Sequence, residues 1–252
     1  MTGALATRDS GLPAVAYEVV FSEVDGVERR QPLTLCWDVA FERAAAARRF
    51  SSYRGQRSFS GLWYFVSSGE HVGYESWLER DQLMVLDADP DVVAVSSQPF
   101  WLHWAGEDER PVWHVPDFFV RLRDGTAVVV DVRADDRIEP GDAQKFAATA
   151  DACLSVGWIF RRVGALDPVL AANLRWLSGY RHPRCHHRER AAALRRAFSR
   201  PAALMDGVNS VGDPLGVLPV LFHLLWRHDL ETDLRAAALG PRSLLRLAGG
   251  SS

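Results

Sequence analysis

Residues 113 to 133 read Trp-His-Val-Pro-Asp-Phe-Phe-Val-Arg-Leu-Arg-Asp-Gly-Thr-Ala-Val-Val-Val-Asp-Val-Arg, and this stretch decides how the rest of the chain is read. Two apolar runs flank a turn at Asp124-Gly125, which predicts a β-hairpin. Asp117 opens the first strand directly after Pro116, Asp131 closes the second, and Arg133 follows two residues later. Side chains alternate faces along a strand, so Asp131 and Arg133 are expected to point the same way. The place of Asp117 depends on the turn. A two-residue loop pairs Arg123 with Thr126 and faces Asp117 away from Asp131. A three-residue loop, Arg123-Asp124-Gly125 with Gly125 in the left-handed region, pairs Leu122 with Thr126 and sets Asp117 opposite Asp131. Glycine at the last position favours the longer loop. Two carboxylates meeting there would suit Mg²⁺, a hard cation that prefers oxygen, and Mn²⁺ in its stead. Such an ion lowers the pKa of bound water and neutralises charge on a phosphate. The plainer reading is two surface aspartates at strand ends, where polar residues are common.

Upstream, Val15 to Phe21 reads as a strand, Asp25-Gly26 as a turn and Pro32 to Trp37 as a partner strand; residues 1 to 13 read as frayed. Residues 38 to 50 suggest a helix, 51 to 60 a polar loop and Leu62 to Val66 a strand. Tyr74 to Pro90 has helical apolar spacing ended by Pro90. Glu75 and Glu79, four apart, would then share a helix face. Val92 to Val95 and Phe100 to Trp104 follow as strands, with an acidic turn over 105 to 111. Downstream come a loop over 135 to 141, a helix over Ala143 to Val156, a strand over Trp158 to Val163 and a helix over Pro168 to Leu177. The order is that of a mixed α/β core. The tryptophans, Trp63, Trp77, Trp101, Trp104, Trp113, Trp158 and Trp176 among them, read mostly as core.

At 252 residues the chain holds one large or two small domains, and 48% hydrophobic content supports a real core. No apolar run approaches the ~20 residues of a membrane span, and no secretory signal pattern opens the chain. Three scattered cysteines, Cys36, Cys153 and Cys185, point to a reducing cytoplasm rather than a disulfide framework. The net charge of -3 conceals an asymmetry: from residue 175 onward twelve Arg stand against six acids. An acidic body with a basic end suits metal in one place and polyanion in another; a solvated helix face is the plainer account. The chain holds 28 Arg and one Lys, Lys145. Lysine can lose its proton when desolvated, and arginine effectively cannot.

The order Glu75-x-x-x-Glu79, Asp89-Pro90-x-Val92, Gln98-Pro99, Pro116-Asp117 and Asp131-x-Arg133 resembles the PD-(D/E)XK nuclease superfamily. More narrowly it is similar to the TnsA-like endonuclease subunits of heteromeric transposases, over roughly residues 60 to 180. The resemblance implies a restriction-endonuclease-like mixed sheet flanked by helices over 61–180. An N-terminal β-rich extension over 1–60 and a basic, mostly helical or winged-helix module over 181–252 would flank it. It implies Mg²⁺-dependent hydrolysis of a phosphodiester at transposon ends in double-stranded DNA. It also implies two partners: a strand-transferring transposase subunit and an ATPase regulator. Carried over, the helix acid falls on Glu75 or Glu79, the metal ligands on Asp117 and Asp131, and the lysine position on Arg133. Arginine holds phosphate well and accepts protons poorly. Three outcomes follow: Arg133 suffices as a clamp, Lys145 reaches in from the next helix, or cleavage is lost and a DNA-binding or scaffold subunit remains. A stand-alone restriction or repair nuclease on the same fold is a further alternative.

Arg188, Arg195 and Arg196 lie on a basic segment expected to be helical and to meet DNA phosphates, or to dock a partner. Residues 201–213 hold at most a short helix, Leu215 to Arg227 a buried helix, and Asp229 to Leu247 a hairpin or terminal helix. His182-x-x-Cys185-His186-His187 has metal-ligand residue types without a second pair at finger spacing. His114 sits beside the acids as a candidate substrate contact or a strand-end histidine without a role.

Overall fold

The computed structural model describes residues 16–23, 26–48, 59–106 and 108–249. The expectations for residues 1–13, Asp25 and 51–58 lie outside the described residues. In chain order come β1 (Glu18–Ser22), β2 (Glu28–Pro32), β3 (Gly61–Tyr64), β4 (His71–Tyr74), α1 (Trp77–Ala88), β5 (Val92–Ser97), β6 (Trp101–Ala105) and β7 (Pro111–His114). Next are β8 (Phe118–Leu122), β9 (Ala127–Val132), α2 (Pro140–Ser155), β10 (Ile159–Val163), α3 (Pro168–Ser178) and α4 (Arg188–Ala197). The chain closes with β11 (Ala202–Ala203), α5 (Leu204–Val211), α6 (Pro214–Trp226), β12 (Leu230–Glu231) and β13 (Leu244–Leu247). No helix among the described residues is long and apolar enough to cross a membrane.

The central sheet has the order β10-β9-β8-β5. β5, β8 and β9 run antiparallel, and β10 joins β9 in parallel after the α2 crossover. The run Val128-Val129-Val130 is nearly continuous apolar sequence because both faces of this sheet are covered. Phe118, Val120, Val128 and Val130 pack with Leu83 and Met84 of α1 and Leu174 and Leu177 of α3. Phe119, Ala127 and Val129 pack on the other side with Val19, Leu102, and Ala152 and Cys153 of α2. The period-two alternation of strand side chains thus divides one hairpin between two cores. The second face is closed by another antiparallel sheet, β2-β1-β6-β7, whose β6 and β7 are inserted between β5 and β8.

Several local expectations give way to tertiary packing. The partner of β1 is Glu28–Pro32 rather than Pro32 to Trp37. After Pro32 the chain curls into a 3₁₀ turn that drops Leu33 and Cys36 into the core, 2% and 0% exposed. Among the described residues, 38 to 48 hold only a 3₁₀ turn at Phe41–Arg43 in place of a helix. Phe41 is taken into an aromatic cluster, its ring centroid 4.8 to 5.6 Å from those of Phe21, Phe100, Phe119 and Trp158. The alanines after it have helix propensity but no apolar face to bury, and propensity alone is a weak force. Of those tryptophans, Trp63 and Trp158 are buried, whereas Trp77, Trp113 and Trp176 are about half exposed.

The C-terminal elements form a three-stranded antiparallel sheet, β11-β13-β12, beside α4, α5 and α6. The hairpin alternative for residues 229–247 is therefore the one realised. Gly207 on α5 has to be glycine, because a Cβ there would lie 2.2 Å from Phe198 Cζ. α6 is buried from Val220 to Trp226. It packs against α4 and α5 and also against α3, where Phe222 meets Trp176 and Tyr180 at centroid distances of 5.7 and 4.9 Å. His228 Nε2 lies 2.7 Å from the Ala88 carbonyl at the end of α1. One apolar core thus runs from the central sheet through α1 and α3 into these last elements.

Candidate active site

The hairpin register pairs Phe118 with Val130 and Phe119 with Val129. One step further along the same ladder, Asp117 faces Asp131. The three-residue loop sets this register: Leu122 N–H donates to Thr126 O at 2.9 Å, Gly125 N–H donates to Leu122 O at 3.0 Å, and Gly125 has φ +90°. Asp117 Oδ2 accepts the Val132 N–H at 2.7 Å, which ties the acid to the end of β9. Burial pushes the Asp117 carboxyl well up, and the charges of Asp131 and then Glu79 push it further; the Val132 N–H and Arg48 pull against them.

Asp131 is 2% exposed, and a buried carboxylate requires a partner. It finds His114 of β7, whose Nε2 lies 2.9 Å from both carboxylate oxygens. The acceptors are carboxylate oxygens, so Nε2 carries the proton. His114 is held edge-on to Phe146 of α2 with centroids 6.4 Å apart. The sequence puts His114 beside the acids; its bond to Asp131 depends on β7 folding across from another sheet, which no local pattern announces.

Glu75 and Glu79 do not share a helix face. The helix begins at Trp77 behind the N-cap Ser76, and Tyr74 belongs to β4. Ser76-x-x-Glu79 is a capping arrangement. Ser76 Oγ accepts the Glu79 N–H at 3.1 Å, while Glu79 takes the Ser76 hydroxyl at 2.8 Å and the Glu75 N–H at 2.7 Å. Burial raises the Glu79 carboxyl despite these bonds, with the Glu75 charge adding to it and Arg48 opposing. Glu75, outside the helix, accepts both terminal nitrogens of Arg48 and the side-chain amide of Gln98 at 3.0 Å. Arg48, within a stretch read as a helix, is thus a cation of this cluster. It reaches the site because Ala47 is tied to Gln98 O at 2.7 Å and to Trp101 Nε1 at 3.1 Å.

Gln98 occupies the left-handed region with φ +50°, which costs an L-residue about 1–2 kcal/mol. Its N–H donates to Asp117 O at 2.8 Å. Its Oε1 is buried, and no described residue gives it a hydrogen bond.

Arg133 and Lys145 are placed differently. The Arg133 guanidinium is engaged by Asp142 at the start of α2, with Nε at 3.0 Å and Nη2 at 2.7 Å. Lys145, one turn further along α2, holds its ammonium 5.9 Å from the centroid of Trp113. Trp113 in turn meets Trp101 edge-on at 5.0 Å. Lys145 therefore stands over an exposed aromatic, Trp113, which precedes His114 in β7.

Of the arginines expected to meet DNA, Arg195 is paired with Asp229 at 2.9 Å. The side chains of Arg188 and Arg196 are exposed on α4 and make no hydrogen bond or ion pair with a described residue. The His182 to His187 cluster is dispersed. His182 stacks on Tyr64 with centroids 6.1 Å apart, and His186 meets His223 at 5.8 Å.

Among the described residues, no three His, Cys, Asp or Glu side chains are gathered to hold a metal ion as they stand. Asp131 is turned to His114 and Glu79 to its own helix cap. The donor chemistry nonetheless fits a hard cation. The groups at the strand ends are carboxylates and one amide oxygen, their charges oppose one another at Asp117, and Gln98 Oε1 has no donor among the described residues.

No curated protein matches the chain. Residues 89–163 match the family model described as TnsA-like endonuclease N terminal, a segment that takes in Gln98, His114, Asp117, Asp131, Arg133 and Lys145 and begins after Arg48, Glu75 and Glu79. From β5 to β10, then, the chain is similar to the N-terminal domain of TnsA-like endonucleases.

Proposed function

We propose that the chain is the Mg²⁺-dependent endonuclease subunit of a heteromeric transposase, hydrolysing a phosphodiester at transposon ends. The observation that carries this reading is the cross-strand pair Asp117–Asp131, with the proton affinity of Asp117 raised by burial and by its acidic neighbours. A helix, three antiparallel strands, a second helix and a parallel fourth strand support a restriction-endonuclease-like core. The order α4, β11, α5, α6 and the β12–β13 hairpin supports a winged-helix reading of the last module.

Asp117 and Asp131 would hold the ion, with Glu79 the upstream acid whose charge acts on Asp117. Mn²⁺ would fit the same oxygens. The bound ion supplies charge neutralisation at the phosphate and an acidified water. The chain's own residues do the rest. His114 holds the Asp131 carboxylate, Arg133 stands at the mouth of the strands as a phosphate clamp, and Lys145 with Trp113 offers a cation and an aromatic face to the DNA. Arg188 and Arg196 would meet phosphates away from the cut, while the transposase and ATPase partners select the site.

A second reading, a DNA-binding or scaffold subunit without cleavage, is favoured by one observation: Arg133 is held by Asp142. Nicking of supercoiled plasmid separates the two. With Mg²⁺ or Mn²⁺ and the partner subunits present, wild type is expected to cut, Asp117→Ala to be inactive and Lys145→Ala to be weakened. Absence of cutting by wild type under those conditions leaves the scaffold reading.

A further inference from the structure

We propose that Gln98 is a cation-positioning residue of this site, its amide oxygen donated to the hydrated divalent ion held at Asp117, directly or through one of the ion's waters. The inference rests on the metal-dependent reading above and adds to it a neutral ligand outside the acidic set. Three observations carry it. First, Gln98 Oε1 is a buried acceptor without a donor among the described residues, on a side chain only 3% exposed. Buried polar atoms are rarely left so unless something absent satisfies them. Second, the amide cannot be flipped to remove the problem. Nε2 donates to Glu75 Oε2 at 3.0 Å, and turning the amide over would set an oxygen against a carboxylate. Third, the residue is held in a costly backbone conformation, φ +50°, by bonds at both ends of its peptide units: its N–H to Asp117 O at 2.8 Å and its carbonyl from Ala47 N at 2.7 Å. Strain kept by over-determined contacts collects at functional sites.

The amide therefore has its donor half spent on Glu75 and its acceptor half free, within a cluster that includes Asp117, Glu75 and Glu79. A hard cation takes neutral amide oxygens alongside carboxylates. An amide here adds an oxygen without adding another negative charge to a group whose charges already conflict at Asp117.

The test is Mn²⁺ binding by the full chain, read from the loss of the EPR signal of free Mn²⁺, with melting temperature in metal-free buffer as the check on folding. Gln98→Met removes the oxygen in a similar volume and is expected to weaken Mn²⁺ binding at least ~10-fold, in the range seen for residues that orient metal ligands. Gln98→Glu loses the same donor to Glu75 but keeps an oxygen, and is expected to bind at least as tightly as wild type. Wild-type affinity in Gln98→Met, or equal impairment in both variants, overturns the proposal and leaves the nuclease reading standing. Should Gln98→Met not fold, weakened binding by Gln98→Glu alone overturns it. Wild type that takes up no Mn²⁺, or whose uptake survives Asp117→Asn, overturns the metal reading and this inference with it.

Discussion

Two segments bring acids to the same place by opposite means: the β8–β9 hairpin and the entry to α1. In the hairpin, a ladder of backbone bonds and two apolar cores fix the register, and the carboxylates are carried to their positions whatever their own preference. Asp117 arrives with its charge in conflict with Asp131 and Glu79. At the entry to α1 the acids do the fixing. Glu79 closes the first turn through Ser76 and the Glu75 N–H, and Glu75 anchors Arg48 and Gln98. Carboxylates that the fold imposes are available for chemistry, whereas carboxylates that hold the fold serve chemistry only by changing partners.

The sharpest way to break this contrast is Asp117→Asn. It should abolish cleavage, by at least ~100-fold, because a charge that helps hold the ion contributes several kcal/mol to the transition state. It should also raise stability at neutral pH. The folded-state pKa of Asp117 lies above its unfolded value, so the stability it contributes is fully present at low pH and is lost as pH rises through the folded pKa. Asparagine removes that loss and keeps an oxygen for the Val132 N–H. Thermal melts of both proteins from pH 4 to pH 8 should show the variant's advantage shrinking toward the acid end. An advantage independent of pH would mean that the strain at Asp117 is not electrostatic.

Ser76→Ala tests the other segment. Loss of the N-cap is expected to cost about 1 kcal/mol, read in a denaturant melt. It also releases Glu79 from one of its bonds. Cleavage should fall by far less than in Asp117→Asn, since no group at the strand ends is removed. A loss of activity as large as that of Asp117→Asn would show that the cap itself holds the catalytic geometry.

The same contrast explains what could be read in the sequence. The hairpin was legible in full, including the facing of Asp117 and Asp131, because alternation, Gly125 and the apolar run all act locally. The helices after it were legible for the same reason. Arg48 was not, since it comes to Glu75 only through a tie between Ala47 and Gln98, and the alanines around it suggested a helix. Apolar spacing that runs through Tyr74 extends the expected helix over Glu75, although the helix begins at Trp77. The Ser76-x-x-Glu79 cap was the signal that could have corrected it. His114, Arg133 and Lys145 owe their partners to β7 and α2 crossing the ends of the sheet, which no spacing within one element encodes.

The smallest effect expected is at the turn. Gly125 needs a positive φ, and asparagine is the residue that tolerates it best after glycine. Gly125→Asn should cost less than about 1 kcal/mol and leave Mg²⁺-dependent nicking unchanged. The reason lies in the strands rather than in the loop. A slip of one residue would exchange Phe118, Val120, Val128 and Val130 for Phe119, Val129 and the two aspartates across both faces of the sheet. Carboxylates would then enter the α1 and α3 core, at a cost no turn residue could offset. If Gly125→Asn instead removes nicking while the fold melts normally, the turn holds the facing of Asp117 and Asp131, and the hairpin is as dependent on a local contact as the entry to α1.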